Sequence, residues 1–206
     1  GYHDPNCRKR QYLYEPPVVL RDPKLFASKS KEAEVTRKNI HGHLGRSILE
    51  LILDVPLPHS ILIDYQHVTL LRHFRDVVKQ ISTDFLTPAI RKQLDYQLRT
   101  QPFPHFFNRR MRGIEDFSYI KATKLRNLLL YGFLPNFYSV LQVDQAAHIV
   151  LFICGIRSIH NLAIFGDRTS AVADVLLTTY YRDHSKFLNH LENFVLHLHA
   201  HYADKI

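Results

Sequence analysis

The chain has 206 residues, of which 46% are hydrophobic and 22% charged, and its formal net charge is +8 at pH 7. This composition excludes a disordered polar tail, and no apolar run reaches the roughly 20 residues that span a bilayer. Cys7 and Cys154 are far apart in the sequence, so we expect no disulfide framework, an intracellular protein and no membrane partner.

The positive charge is concentrated in one part of the chain. Residues 72–126 contain twelve lysines and arginines and five acids, whereas the rest of the chain contains fifteen basic and fourteen acidic residues. A basic segment in an otherwise balanced protein indicates a polyanionic partner such as DNA or RNA. The alternative interpretation is a solvated face of lysine and arginine side chains that binds nothing.

The first part of the chain predicts little regular structure. Residues 1–45 form a predicted irregular N-terminal segment that includes a short strand and a short helix. Residues 46–82 form a predicted strand–helix unit, with a short helix over 47–53 and a buried strand over 60–63. From His67 onwards, apolar residues recur at the spacing of an amphipathic helix.

Residues 83–206 predict a helical region. Thr87 as N-cap and Pro88 at the first helical position indicate a helix over 87–101. The apolar helix near 144–163 is interpreted as core, with an interface as the alternative. The fold is therefore predicted to be mainly α with a small β component. Further helices are predicted near 119–133, 136–141, 169–188 and 189–203, with breaks at Pro135 and Gly166.

Asp64 lies where the predicted strand gives way to the predicted helix. In α/β proteins this position often holds ligand-binding or catalytic groups. Asp64 is therefore a candidate metal ligand, but aspartate is also a favoured N-cap. Spacing alone favours the cap.

A group of histidines near the C-terminus suggests zinc. His197 and His201 are one helical turn apart, a spacing that can bind the ion, but no glutamate follows His197 as in H-E-x-x-H. We therefore interpret these residues as polar or core-edge histidines. The group consists of His190, His197, His199 and His201, with Glu192 nearby.

Candidate nucleic-acid contacts lie in the basic segment. The connector after residue 101 contains arginines shortly after phenylalanines, and such a mixture of cations and aromatic residues is typical of nucleic-acid binders. The alternative is that the phenylalanines anchor the connector to the core and the arginines are solvated. The predicted nucleic-acid-binding residues are Arg91, Lys92, Arg109, Arg110, Arg112, Lys121 and Lys124.

Several sequence blocks occur in the order found in one family. They are His43, Gly45, Ser47, Leu49 and Leu51; IDYQH at 63–67; FFNRRMRGIEDF before residue 118; YIKATKLRNLLLYGFLP at 119–135; and Asn193 with His199. Together they resemble the core of the CACTA-like eukaryotic DNA transposases, which occur in many transposase domain-containing proteins.

This resemblance implies a ribonuclease-H-like core with a helical region inserted between its second and third carboxylates. In such enzymes three acids hold two divalent metal ions. Asp64 would be the second acid, and His67 the histidine of the same signature. The other acids would lie before Gly1 and after Ile206, so we expect no cofactor in this chain, and Mg²⁺ or Mn²⁺ only where a complete site exists.

The resulting expectation is a transposase-derived domain, catalytically incomplete, that acts in the nucleus. It would bind DNA, chromatin or another nuclear protein, and a homo-oligomer is an option. One alternative is a fragment of an active metal-dependent transposase that uses Asp64 and His67. Another is a protein-interaction or oligomerisation module that does not bind nucleic acid.

Overall fold

The structure, a computed structural model, shows a mainly helical chain. It describes residues 2–3, 10–18, 21–60, 63–102, 111, 113–160 and 166–202. The chain divides into two compact units, residues 17–63 and residues 1–16 with 64–206. The boundaries that the sequence suggests after residues 45 and 82 fall inside these units. No helix of the described ranges is both long and apolar enough to cross a bilayer.

The unit of residues 17–63 contains two helices, α1 (Pro23–Thr36) and α2 (Leu49–Ile52). Helix α1 is longer than predicted because Asp22 accepts a hydrogen bond from the Leu25 amide and Pro23 follows at the first position. Helix α2 lies within the helix predicted at 47–53. Of the predicted strand 60–63, residues 61 and 62 lie outside the described residues, and the two end residues are not in a strand.

The other unit begins with a ribbon of two antiparallel strands, and helices make up most of its remainder. Helix α3 has three consecutive segments, of which the outer two have π-type turns, and α5 has such a turn in its middle segment. A 3₁₀ turn (Ile114–Tyr119) follows α4. The elements are β1 (Tyr2–His3), β2 (Arg10–Gln11), α3 (Gln66–Phe74, Arg75–Gln80 and Ile81–Phe85), α4 (Pro88–Thr100), α5 (Ala122–Asn127, Leu128–Gly132 and Phe133–Phe137), α6 (Val143–Ile159), α7 (Thr169–Asp183) and α8 (Phe194–His199).

Helix α4 confirms its prediction, whereas the predicted break at Pro135 is wrong. Thr87 accepts a hydrogen bond from the Ile90 amide and Pro88 is the first helical residue. Helix α5 continues through Pro135 because the wide turn before it changes the local hydrogen bonding, and the Asn136 side chain donates to the Gly132 carbonyl at 2.7 Å.

The helix predicted over 189–203 is much shorter in the structure. His190 has a left-handed backbone conformation, with φ of 60°, which interrupts a helix at that point. The Asn193 side chain then caps α8 by accepting hydrogen bonds from the Val195 and Leu196 amides. A new helix therefore starts at Phe194.

The core is organised by α6 and α7, which pack against each other along most of their length. Contacts of His148 with His184 and of Gly155 with Leu177 show that the two helices are antiparallel. Helix α6 buries Phe152, and its burial confirms the predicted core role of this apolar segment. Gly155 permits the close approach, since a Cβ atom there would lie 2.8 Å from the Leu177 side chain.

We expect Gly155→Ala to lower the free energy of unfolding by about 1–2 kcal/mol, because overpacking against buried Leu177 outweighs the higher helix propensity of alanine. Chemical denaturation of the full chain measures the change. Combining Gly155→Ala with Leu177→Ala should cost less than the sum of the two single changes. A stability equal to or above that of the wild type would contradict the close contact.

Candidate functional site

A cleft of about 570 Å³ lies between α3 and α4, and we call it the basic cleft. Helix α3 contributes Arg75 and Lys79, which are one turn apart and so share a helix face. Helix α4 contributes Arg91 and Lys92 near its N-terminus. The sequence folds in this way because the apolar stripe of each helix is buried, which leaves its basic residues on the outer face.

The lining of the basic cleft contains four cations and one carboxylate, that of Asp76. Within the described part of the chain, Lys79, Arg91 and Lys92 form no ion pair, and the nearest approach of Arg75 to a carboxylate is 3.9 Å, to Asp76. The N-terminal end of α4, which has 13 residues, adds a positive helix-dipole potential. Such a concave group of cations and polar side chains suits phosphate oxygens.

The predicted nucleic-acid-binding residues divide into three sets. Arg91 and Lys92 line the basic cleft. Lys121 and Lys124 are at the start of α5 and are not among the lining residues. Arg75 and Lys79 were not predicted as site residues. Their spacing of four and their positions off the apolar stripe of α3 are sequence features that could have identified them. The third set, Arg109, Arg110 and Arg112, lies outside the described residues.

Asp64 lies directly before Tyr65, which precedes α3 and has no side-chain cap bond, and the Asp64 carboxylate caps the first turn instead. One carboxylate oxygen accepts a hydrogen bond from the His67 amide at 3.1 Å, and the other accepts one from His67 Nδ1 at 2.6 Å. The Asp64 carbonyl accepts the first intrahelical bond, from the Val68 amide. The hydrogen bond from the His67 side chain is the main reason that the pKa of Asp64 is lowered. The geometry agrees with the N-cap interpretation.

The described residues contain no group of three or more histidine, cysteine, aspartate or glutamate side chains placed to hold a metal ion. Both carboxylate oxygens of Asp64 are engaged with His67. A two-metal site needs further carboxylates, so these residues alone do not fit one.

We expect Asp64→Asn to keep most of the stability, because an asparagine side chain can still accept the His67 amide bond. Asp64→Ala removes the cap and should lower the melting temperature by about 2–4 °C. Differential scanning calorimetry of both variants checks this. Equal losses in the two variants would mean that the negative charge, not the cap, is what stabilises α3.

The C-terminal histidines separate into two environments. His197 and His201 face each other across one turn, with their Nε2 atoms 3.4 Å apart, and the Tyr181 hydroxyl lies 3.2 Å from His197 Nδ1. His199 points to the opposite face and is fully buried. Histidines that are neighbours in the sequence therefore lie in different environments in the fold.

The interior contains a histidine cluster that the sequence did not predict. Its members pack against the Tyr180 ring or against one another, and each is at most 3% exposed. They are His73, His148, His184 and His199. His73 Nε2 and the Tyr180 hydroxyl are hydrogen-bonded at 2.8 Å. His73 lies on the same helix face as the apolar residues of α3, and this sequence pattern could have predicted that its side chain is buried.

One member of the cluster belongs to a hydrogen-bond chain. His199 Nδ1 donates to the Val195 carbonyl at 2.8 Å, so in the neutral ring Nε2 is an acceptor. It can accept from the Thr69 hydroxyl at 3.1 Å, which in turn accepts from the Tyr202 hydroxyl at 2.6 Å. This chain joins α3 to the C-terminal helix.

The cluster is held in its neutral state. Within the described residues, no hydrogen-bond partner reaches His73 Nδ1, His148 Nδ1 or His184 Nε2. Burial lowers the pKa of His148 and of His199 to about 4, and lowers those of His73 and His184 well below the usual value. Folding therefore excludes protons that these rings would bind in water.

We expect stability to fall steeply as the pH drops below about 6.5. The unfolded chain binds protons at these histidines while the folded chain does not, so the free energy of unfolding decreases with falling pH until the folded pKa values are reached. His148→Phe should reduce the slope between pH 4.5 and 5.5 by about one proton, or about 1.4 kcal/mol per pH unit. Urea unfolding at each pH measures the slope.

Tyr180→Phe is the matched control for this experiment. It removes a hydrogen bond from the same cluster but no group that titrates below pH 7. It should lower stability at every pH and leave the slope unchanged. A wild-type stability that does not vary between pH 5 and 7 would show that the rings do not control acid unfolding.

Comparison of the chain with models of protein families, with curated proteins and with solved structures found no match.

Proposed function

We propose that this chain is a nucleic-acid-binding domain that contacts the phosphate backbone through the basic cleft. The observation that carries the proposal is the convergence of Arg75, Lys79, Arg91 and Lys92 from two helices on one concave surface. Three of these cations have no ion-pair partner among the described residues. The same lining contains one carboxylate, that of Asp76, so the four cations leave a net positive charge on this surface.

The location of the cleft agrees with the charge distribution of the sequence. All four cations belong to residues 72–126, the segment that carries most of the net charge. A surface with net positive charge attracts phosphates and releases the counterions condensed on them, whatever the base sequence. Backbone contact of this kind gives affinity and positioning, while sequence choice needs additional contacts.

We further propose that the domain derives from a transposase, and that it acts on DNA or chromatin in the nucleus. The ordered motif blocks support this descent, and the helices after residue 64 are compatible with the insertion of a ribonuclease-H-like core. Strand transfer through Asp64 would require further acids and two metal ions. DNA binding without catalysis is the simpler role for this chain.

A second candidate function is protein interaction by the unit of residues 17–63. Helix α2 and its flanks expose several large apolar side chains, and a dense exposed apolar patch commonly marks a protein-binding surface. In this region Leu44, Ile48, Leu51 and Ile52 are each at least two-thirds exposed. A nuclear protein, or a second copy of the chain, is the partner that this surface would bind.

We expect the chain to bind a 20-base-pair duplex with an affinity that falls steeply with salt. The double variant Lys79→Ala/Arg91→Ala should bind about tenfold more weakly at 0.1 M salt. It should also reduce the slope of log K against log[salt] by about 1.8, which corresponds to two lost phosphate contacts. Fluorescence anisotropy over a salt series measures both quantities.

The control variant Arg182→Ala/Lys186→Ala removes the same charge from the end of α7, where both side chains pair with Asp183 and neither lines the cleft. It should leave the salt slope unchanged. Equal losses in both double variants would mean that only net charge matters. No salt-sensitive binding at all would contradict the proposal and leave the exposed apolar surface as the functional one.

A further inference from the structure

A second cleft, of about 390 Å³, opens beside the basic cleft, and we call it the aromatic cleft. Its lining includes Tyr12 from the segment after β2, Phe194 from the start of α8, and the cations Arg10 and Arg72. Asp76 lines both clefts, so the two are adjacent along α3.

The cations form a connected path between the clefts. Arg72, Arg75 and Lys79 follow one another at spacings of three and four on α3, so they form one stripe along the helix. Arg10 and Arg72 are exposed and, among the described residues, have no ion-pair partner. A phosphate backbone in the basic cleft can continue along this stripe into the aromatic cleft, and on the way it passes Asp76, whose carboxylate lies 3.9 Å from Arg75.

The aromatic side chains are held in place before any ligand arrives. The Tyr12 amide donates to the Glu192 carbonyl, and the Tyr12 carbonyl accepts from the Tyr181 hydroxyl at 2.8 Å. The Tyr12 ring lies 5.4 Å from that of Phe194 and 5.8 Å from that of His197. A fixed backbone and packed rings reduce the entropy lost when a ligand stacks on them.

Phe194 packs against Tyr12 and His197 and is the more exposed of the two aromatic rings that line the aromatic cleft. Its side chain is 51% exposed although it is large and apolar, and it opens α8 beside Arg72 in the lining of the aromatic cleft. Exposed aromatic rings that lie beside unpaired arginines bind unstacked bases, since each base presents a π-face. Bases inside a duplex are stacked on each other and present only their edges.

We propose that the preferred ligand is single-stranded nucleic acid, with its phosphates in the basic cleft and a base stacked on Phe194 in the aromatic cleft. This inference rests on the proposed function, because the aromatic cleft acts on a strand that the cations hold. Stacking in the aromatic cleft would select single strands, which contacts to the phosphate backbone alone do not do.

The test compares four probes with the full chain at 0.1 M salt: a thymidine 12-mer, a uridine 12-mer, an abasic 12-mer of the same charge, and a 12-base-pair duplex. Anisotropy should show tighter binding of the thymidine or the uridine strand than of the abasic strand and the duplex. The ratio of the two base-carrying strands distinguishes DNA from RNA.

Phe194→Ala should weaken binding of the base-carrying strands about tenfold, the effect of one lost stacking contact, and leave binding of the abasic strand unchanged. Phe194→Trp should restore the affinity. Leu13→Ala is the matched control, since Leu13 is 49% exposed and is not among the residues lining the aromatic cleft. Thermal melts of each variant verify folding.

Two failures are distinguishable. In the first, the duplex and the abasic strand bind as tightly as the base-carrying strands and Phe194→Ala has no effect. The preference for single strands is then overturned, while the basic cleft retains its proposed role. If none of the four probes shows salt-sensitive binding, the proposed function itself is wrong, and this inference with it.

Discussion

The close packing of α6 against α7 is the constraint on which the rest of the larger unit depends. Gly155 lets the two backbones approach, and the same antiparallel pair brings His148, Tyr180 and His184 into one layer of rings. Helix α3 completes that layer with His73. Once this side chain is fixed inside, the 3.6-residue period of the helix determines which residues of α3 face water.

Helix α3 therefore connects the interior with the surface that we propose binds phosphates. Its inner face carries the neutral imidazole of His73, and its outer face carries Arg72, Arg75 and Lys79. The two faces have opposite requirements: a protonated, charged imidazole would destabilise the buried layer, whereas positive charge on the outer face attracts anions. A rotation of α3 about its axis would damage both at once, so core packing also fixes the position of the basic stripe.

Local signals predicted some of this structure, and contacts between distant residues account for the rest. The sequence predicted α4 because Thr87 and Pro88 act within one turn, and it predicted a mainly helical chain with a basic segment. It did not predict the histidine cluster, whose members come from four parts of the chain, or the continuation of α5 past Pro135. Arg91 and Lys92 were identifiable as cations, but the partners across the cleft depend on tertiary packing. The ribonuclease-H-like ancestry is a proposal, and metal binding by Asp64 stays a prediction of the sequence.

The pairing of the early strand with the start of the last helix has a topological consequence. Gln11 forms a bridge with Asn193, and the Tyr12 amide donates to the Glu192 carbonyl. The first and last parts of the larger unit thus run side by side, as they do in domains that tolerate circular permutation or insertion into a host protein. The chain therefore passes through residues 11 and 193 at neighbouring points of this unit.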